Sequence, residues 1–460
     1  MMKTRAGFIV FGVHKDGLRD PDGNLFIDEN TIVDSKRALK NEGVDLVEEE
    51  LIIATKDEAT ETIIKHAKDD NVDCLVLFSG TWVWAAHLVG AIREFAKTGK
   101  GIVIWTHDGS QGWRSVGGLV LSAALNEIGI KHRFVYGNAQ NERDVKRVAN
   151  YCKASALKKS MEMTTLMAFG GRGMGQTCGV ADPSQWMKVF GIDIDTRDTY
   201  ELIKTANDIT QDEVEKAYGA ISESFTTPIE RNNENARSVR LYLALKRLKE
   251  KKEFDYYTIQ SLPGLGDYYT ASCLAQSMML NDGVPTSTLS DYNTALTSIM
   301  IMGLSHDPIY YGDLQHIDKD KKEIKIIGDG AVPPRLANEQ GASFARHGIP
   351  TEGSAGGMSV NLVCKPGKGV LARLSRVDGE FKIIVVNCEI TVPDNKVELE
   401  KRRHECGIPF WPHAFVTIKG DIEKMISNWN NEYACLGYGE DLYHQIIDFG
   451  ELMGIDVINL

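Results

Sequence analysis

The chain has 460 residues, of which 43% are hydrophobic, 25% charged and 8% aromatic, and its formal net charge is −12 at pH 7. This length suits about three globular domains, and the negative charge argues against a surface that binds nucleic acid or an anionic membrane. A small-molecule partner is therefore expected, with no nucleic acid and no membrane.

The N-terminal stretch MMKTRAGFIVFGVHKDG has only a short apolar run before charged residues return. Elsewhere no stretch approaches the roughly 18 apolar residues of a membrane helix. We therefore expect no secretory signal, no membrane span and a cytoplasmic protein. The eight cysteines include no C-x-x-C pair, which predicts reduced, mostly buried thiols rather than a zinc site or disulfides.

The first third of the chain alternates short apolar runs with amphipathic stretches. The runs typical of strands are RAGFIVFGV, VDLVEEELII, DCLVLFSG, GIVIWT and HRFVYG. The stretches typical of helices are TIVDSKRALKNEG, KDEATETIIKHAK, WVWAAHLVGAIREFAK, VGGLVLSAALNEIG and ERDVKRVANYCKAS. This β-α alternation predicts a parallel sheet with helices on both faces.

Two tips of that predicted sheet are rich in aromatic and polar residues, FSGTWVW (78–84) and WTHDGSQGW (105–113). Ligands bind such sheets beyond the carboxyl ends of the strands. Trp82, Trp84, Trp105 and His107 suit a sugar there, because aromatic faces cover C–H surface while polar edges meet hydroxyls. The alternative for each is packing beneath loops or at an oligomer interface.

A second array begins with TTLMAFGGRGMGQTCG, a predicted strand that runs into a glycine-rich loop. The loop matches neither G-x-G-x-x-G nor G-x-x-x-x-G-K-[ST], so no nucleotide is expected. Its glycines suit a tight strand-to-helix turn, and Arg172 is free to meet an anionic or hydroxylated group. Helices are predicted at DEVEKAYGAISESF and NARSVRLYLALKRLKEKK, and a strand at FDYYTIQSL.

The last part of the chain is rich in β-strand patterns. GKGVLARLSRVDGEFKIIVVNCEI contains two such runs joined by Asp378-Gly379, a strong hairpin signal that predicts an antiparallel sheet or small barrel. Two closing helices are predicted at DIEKMISNWNN and EDLYHQIIDFGELMG.

Five ordered segments carry a resemblance to a known family: GRGMGQTCGVADPSQWMKVFGIDID, CLAQSMMLNDGVPTSTLSDYNTAL, KPGKGVLARL, FWPHAF and IIDFGELMGIDVINL. They resemble the L-fucose isomerase and L-arabinose isomerase superfamily from near Arg5 to Leu460. The resemblance implies an α/β fold with two Rossmann-like, doubly wound parallel-sheet domains, at 1–158 and 159–284. A β-rich, barrel-like C-terminal domain at 285–460 follows. It also implies a homo-oligomer, a homohexamer being expected, and Mn²⁺ or Mg²⁺ used to interconvert aldoses and ketoses.

The same resemblance implies three metal ligands. In the family a glutamate and an aspartate hold the metal and act as acid and base, and a histidine completes the set. Here Gln276, Asp291 and Glu432 take these places, with Gln276 and Asp291 also inheriting the catalytic positions. An amide cannot take a proton, so Gln276 is not the base. The formal charge of the three positions is nevertheless kept, which suggests a remodelled site.

Plainer interpretations of these residues remain open. Asp291 precedes a helical run and can serve as its N-cap, Gln276 can be a surface helix residue, and Glu432 can be a solvated charge. His413 in FWPHAF can be a loop histidine held by aromatic neighbours, although it is also the best spare imidazole for acid–base catalysis. Asp267 and Glu389 are spare carboxylates.

The chemistry of an aldose–ketose exchange requires a base beside the carbonyl and an electrophile for the oxyanion. We therefore expect a metal-dependent isomerase that acts on a free or modified monosaccharide through a cis-enediol. A hexose with a charged group at C6 is one possible substrate. The alternatives are a non-catalytic sugar-binding protein on the same scaffold, or a lyase that uses the same enediol.

Overall fold

The computed structural model describes residues 3–13, 29–107, 112–347, 354–393, 395–405 and 408–460. The chain divides into two compact units, one of Met1–Ser160 with Glu451–Gly454 and one of Met161–Gly450 with Ile455–Leu460. In the described ranges, no helix combines the length and the apolar character needed to cross a bilayer. The seven cysteines within these ranges are free thiols, as predicted.

The first unit is built on a five-stranded parallel sheet of order β2-β1-β3-β4-β5. Its strands are β1 (Thr4–Phe11), β2 (Val44–Glu48), β3 (Cys74–Ser79), β4 (Gly101–Thr106) and β5 (Arg133–Tyr136). Its helices are α1 (Glu29–Asn41), α2 (Lys56–Lys68), α3 (Ala85–Ala96), α4 (Gly112–Glu127) and α5 (Glu142–Met161). The predicted β-α alternation is confirmed for this unit.

The three central strands of the first sheet, β1, β3 and β4, are buried on both faces. Phe8 and Val76 pack in one hydrophobic cluster, whereas Ile9 and Leu77, the next residues along the same strands, pack in another. Alternate side chains of a strand point to opposite faces, so each face has its own core. This explains why these strands are continuous apolar runs in the sequence.

The second unit contains a four-stranded parallel sheet of order β7-β6-β8-β9. Its strands are β6 (Thr164–Phe169), β7 (Ile192–Arg197), β8 (Tyr256–Ile259) and β9 (Thr286–Ser287). The helices of this region are α6 (Pro183–Phe190), α7 (Thr199–Asn207), α8 (Gln211–Ser222), α9 (Asn233–Glu250), α10 (Gly266–Tyr268), α11 (Cys273–Asn281) and α12 (Tyr292–Ser305). The strand that follows α11, β9, has only two residues, and a short turn then leads into α12.

A largely antiparallel sheet of order β14-β17-β10-β11-β16-β15-β18 follows in the same unit. The strands from this part of the chain are β10 (Tyr310–Asp318), β11 (Glu323–Ile327), β12 (Ser343–Arg346), β13 (Met358–Asn361), β14 (Gly367–Val377), β15 (Glu380–Thr391), β16 (His413–Ile418), β17 (Tyr433–Tyr438) and β18 (Asp456–Asn459). Because β14 also pairs with β15, six strands close into a ring, with β18 parallel to β15. The closing helices are α13 (Lys396–His404), α14 (Ile422–Asn428) and α15 (Leu442–Met453).

The predicted hairpin is confirmed between β14 and β15. Asp378 and Gly379 both have positive φ, 51° and 82°, as a two-residue turn between right-twisted strands requires. The fold is therefore α/β, with two parallel sheets and a largely antiparallel, ring-forming sheet.

Candidate active site

The second unit encloses a cavity of about 220 Å³ at the carboxyl ends of its parallel strands. The residues that line it just after β6, β8 and β9 are Met174, Ser261, Leu262, Thr288 and Leu289. The remaining lining residues come from the start of α11 and from the antiparallel part: Ala271, Ser272, Cys273, Tyr311, Gly312, Asp313, Asp329, His347, Trp411 and Tyr433. Parallel sheets place their ligands at this edge, which makes the cavity the candidate active site.

Two carboxylates line this cavity, Asp313 on β10 and Asp329 just beyond β11. Asp313 lies opposite Ile327 in the antiparallel pair. Side chains two residues apart point the same way on a strand, so Asp329, two residues beyond Ile327, extends the face that carries Asp313. A glycine precedes each carboxylate, and a Cβ at Gly312 would come within 2.6 Å of the Ile327 carbonyl oxygen.

The environment of both carboxylates favours their protonated forms. Burial raises the pKa of Asp313 to about 7, assisted by the negative charges of Asp329 and Glu432. Burial also raises the pKa of Asp329 to about 6, although the Ala331 N–H donates to its carboxylate and opposes the shift. Two nearby carboxylates that titrate near neutrality can share one proton, as acid–base catalysis requires.

Other side chains also bring unpaired polar atoms to the cavity. Ser261 Oγ, His347 Nε2 and Trp411 Nε1 are buried and have no hydrogen-bond partner within the described part of the chain. Leaving such a group unsatisfied costs about 1–3 kcal/mol. Their concentration in one cavity indicates a polar ligand that would satisfy them, such as a polyhydroxylated sugar.

The backbone beside the cavity is strained. Leu289 and Ser290 adopt left-handed φ values of 59° and 55°, which are unfavourable for residues with a Cβ and concentrate at functional sites. Gly173 packs against this turn, since a Cβ there would lie 2.1 Å from the Leu289 carbonyl oxygen. That glycine places the next residue, Met174, in the cavity wall.

Asp291 is the N-cap of α12, which confirms the plainer interpretation of this residue. Its carboxylate accepts hydrogen bonds from the Thr294 N–H at 2.9 Å and the Thr294 hydroxyl at 2.8 Å. It also accepts from Arg373 Nη2 at 3.0 Å, and both charged side chains are almost completely buried. Asp291 does not line the cavity.

The other two predicted ligand positions make different contacts from those of Asp291. Gln276 is fully buried in α11, so it is not a surface residue, and its amide donates to Ser272 Oγ at 2.7 Å. Glu432 is exposed and accepts a hydrogen bond of 2.6 Å from Gln176. Neither residue lines the cavity, although Ser272, held by Gln276, does.

These contacts do not fit a divalent cation at the predicted triad. The Arg373 guanidinium already neutralises Asp291, and its positive charge disfavours a second cation at the same oxygens. Within the described ranges, no three His, Cys, Asp or Glu side chains converge in a way that could hold a metal ion.

His413 lies in β16 rather than in a loop. It is fully buried, and its Nδ1 lies 2.7 Å from the Trp411 carbonyl oxygen. Burial lowers its pKa to about 3, and it does not line the cavity. The spare carboxylates are also outside the cavity: Asp267 accepts from the Ser354 N–H, and Glu389 lies on β15.

The predicted sugar-binding aromatics belong to the first unit. Trp82 and Trp84 follow β3, with ring centroids 6.4 Å apart, and Trp84 is 62% exposed. Trp105 is fully buried in the sheet core, where its Nε1 donates to the Gly137 carbonyl oxygen. His107 is half-buried just after β4, and residues 108–111 of the same tip lie outside the described residues.

Arg172 does not line the cavity, but it lies two residues before Met174, which does. It is exposed and precedes the short turn Gly173–Gly175, which contributes Met174 to the wall. Its guanidinium makes no ion pair within the part of the chain that the structure describes.

Sequence reasoning missed Asp313 and Asp329. The available signal was a repeated pattern, an apolar run followed by Gly-Asp, in IYYGD and IKIIGD. His347 and Trp411 carried no comparable signal, because their place in the cavity depends on long-range packing.

Comparisons with known proteins point to sugar isomerases. No family model matches the chain. Similar curated proteins are the sulfoquinovose isomerases of Priestia aryabhattai and Priestia megaterium, each 22% identical over 347 residues, or 73% of this chain and 75% of the relative. The sulfoquinovose isomerase of a Clostridium species is 23% identical over 261 residues, 55% of this chain and 57% of that protein. The narrower resemblance to L-fucose and L-arabinose isomerases stays a prediction.

Proposed function

We propose that this protein is an isomerase that interconverts an aldose and a ketose, with sulfoquinovose or a related anionic hexose as its substrate. The relatives named sulfoquinovose isomerase support an enzyme that isomerises sugars. The observation that carries the proposal is the pair of carboxylates, Asp313 and Asp329, in one cavity with unsatisfied polar groups.

The pair can perform each proton transfer of the exchange. The ionised carboxylate takes the proton from C2 of the aldose while the protonated one gives its proton to O1, which leaves a cis-enediol. The first group, whose proton can exchange with solvent while the enediol is bound, then delivers a proton to C1, and the second removes the proton from O2 to form the ketose. No net proton is gained or lost, so the pair is ready for the next turnover.

Arg172 is the residue that we assign to the anionic substituent. The sulfonate of sulfoquinovose is permanently charged, and the cavity itself contains two carboxylates that disfavour a second anion close to them. The exposed guanidinium offers planar, charge-assisted hydrogen bonds at a distance from that pair. The substrate would then place its reacting carbons inside and its charged end toward Arg172.

The remaining expectations become part of the proposal. A divalent cation fits the predicted triad poorly, so the proton transfers above are assigned to the chain's own residues.

We also infer a cytoplasmic homo-oligomer, a hexamer being the expected size. The exposed apolar side chains of α4, Trp113, Val116, Leu119 and Val120, support an assembly surface. Sedimentation velocity tests it directly.

The experiment that tests the proposed function is product analysis. Purified protein is incubated with sulfoquinovose, and the ketose carbonyl is followed by ¹³C NMR, with Asp313→Asn as the paired variant. We expect the ketose with the wild-type protein and none above background with the variant. Saturable binding without any conversion would favour a sugar-binding protein, and cleavage products would favour a lyase.

A further inference from the structure

The enediol reaction also needs a donor at the oxygen that gains negative charge when the proton leaves carbon. We propose that His347 is this donor, its imidazole held by Ser359 in the neutral tautomer that carries hydrogen on Nε2 and donates to the substrate's carbonyl oxygen. This inference rests on the proposed function, because it assigns the electrophile for the reaction of the same cavity.

The position of the ring is the first support. His347 is 4% exposed and lines the cavity, and its Nε2 has no hydrogen-bond partner within the described residues. Its other nitrogen, Nδ1, lies 2.9 Å from Ser359 Oγ and 3.5 Å from Cys273 Sγ. One edge of the imidazole is therefore anchored, and the other is left for a ligand.

The contacts of Nδ1 support the proposed tautomer. The Cys273 thiol donates toward the Asp329 carbonyl oxygen at 3.0 Å, and burial raises the pKa of this thiol, so it keeps its hydrogen. The Ser359 hydroxyl can then donate to Nδ1, and the proposal assigns it this role, which puts the hydrogen of the neutral ring on Nε2. Burial also lowers the pKa of His347, which favours the neutral ring.

The ring stacks on Trp411 and is linked through Cys273 to the backbone of Asp329. Its centroid lies 6.1 Å from that of Trp411, and the two planes are 18° apart, so the rings stack. Cys273 contacts both the imidazole and the backbone carbonyl oxygen of Asp329, and the Asp329 side chain belongs to a residue that lines the same cavity. A neutral imidazole that polarises a carbonyl beside a carboxylate base is a chemically competent arrangement.

Steady-state kinetics with sulfoquinovose test the donor. Loss of one such donor costs about 10²–10³-fold in kcat, so we expect His347→Phe to lower kcat by at least about 100-fold with a much smaller change in KM. His347→Gln should regain part of that loss, because its amide N–H can donate. Folding of both variants is checked by thermal unfolding.

The tautomer is tested independently of activity. The ¹³Cδ2 chemical shift of His347, assigned as the signal that His347→Gln removes, distinguishes the two neutral forms. We expect the Nε2–H form in the wild-type protein, and a shift toward the Nδ1–H form with lower kcat in Ser359→Ala. The Nδ1–H form in the wild-type protein, or full kcat in His347→Phe, would overturn the inference. If the wild-type protein converts no sugar, the proposed function is wrong. The tautomer of His347 is still decided by the NMR measurement, which does not depend on activity.

Discussion

Arg373 on β14 and Asp291 at the start of α12 form a buried ion pair, with Arg373 Nη2 3.0 Å from the Asp291 carboxylate. The same carboxylate caps the helix through the Thr294 N–H. Asp291, which the sequence predicted as a metal ligand and base, therefore links the buried helix α12 to the ring-forming sheet.

Removing one partner of this pair should destabilise the protein strongly. Asp291→Ala leaves the Arg373 guanidinium buried without a counter-charge, which typically costs about 3–5 kcal/mol, and it also removes the helix cap. Urea denaturation followed by circular dichroism measures the change in free energy of unfolding.

Two controls make this result specific. Glu432→Gln changes an exposed carboxylate and should alter stability by no more than about 0.5 kcal/mol. The double variant Asp291→Asn with Arg373→Met should be more stable than Asp291→Ala, because it removes both charges. A full loss of bound metal in folded Asp291→Asn would contradict the structural role.

The pH dependence of activity should follow the carboxylate pair. With pKa values of about 7 for Asp313 and about 6 for Asp329, the form with one shared proton predominates between them. We expect kcat/KM for sulfoquinovose to rise through about pH 6 and to fall above about pH 7. The sulfonate does not titrate in this range. A flat profile from pH 5 to 8 would be incompatible with the pair as acid and base.

The same pKa shifts predict a pH dependence of stability. Both folded-state pKa values lie above those of an unfolded aspartate, about 4, so the native state binds more protons between these values. The contribution of these two carboxyl groups to the free energy of unfolding is complete below about pH 4. It is lost as the pH rises through about 6 and 7. Asp313→Asn should reduce this loss, whereas Glu339→Gln, at an exposed position, should leave it unchanged. Thermal unfolding across pH 4.5–8.5 makes the comparison.

Arg172 should determine the preference for an anionic sugar. Arg172→Met removes the guanidinium and its charge-assisted hydrogen bonds. It should raise KM for sulfoquinovose about 10-fold. Conversion of glucose, which has no charged group, serves as the internal control and should change little. An equal change for both sugars would argue that Arg172 acts on the cavity as a whole and not on the charged end.

The sequence predicted local and regular features well. The apolar runs of β1 and β3, the helical patterns of α2 and α5, and the Asp378-Gly379 hairpin follow from short-range patterns that physics ties to single structures. The site was harder, because motif position alone cannot tell a buried carboxylate bonded to an arginine from one that faces a cavity. Asp291 and Asp313 differ in their partners, and those partners lie up to 82 residues away.

The central claim, that Asp313 and Asp329 exchange a substrate proton, is tested most directly by isotope exchange. The protein is incubated with sulfoquinovose in D₂O, and deuterium at C2 of the recovered aldose is measured by NMR. The account predicts incorporation with the wild-type protein and a fall of about 10²–10⁴-fold with Asp313→Asn. A wild-type protein that neither incorporates deuterium at C2 nor forms the ketose, or undiminished exchange with folded Asp313→Asn, would contradict it.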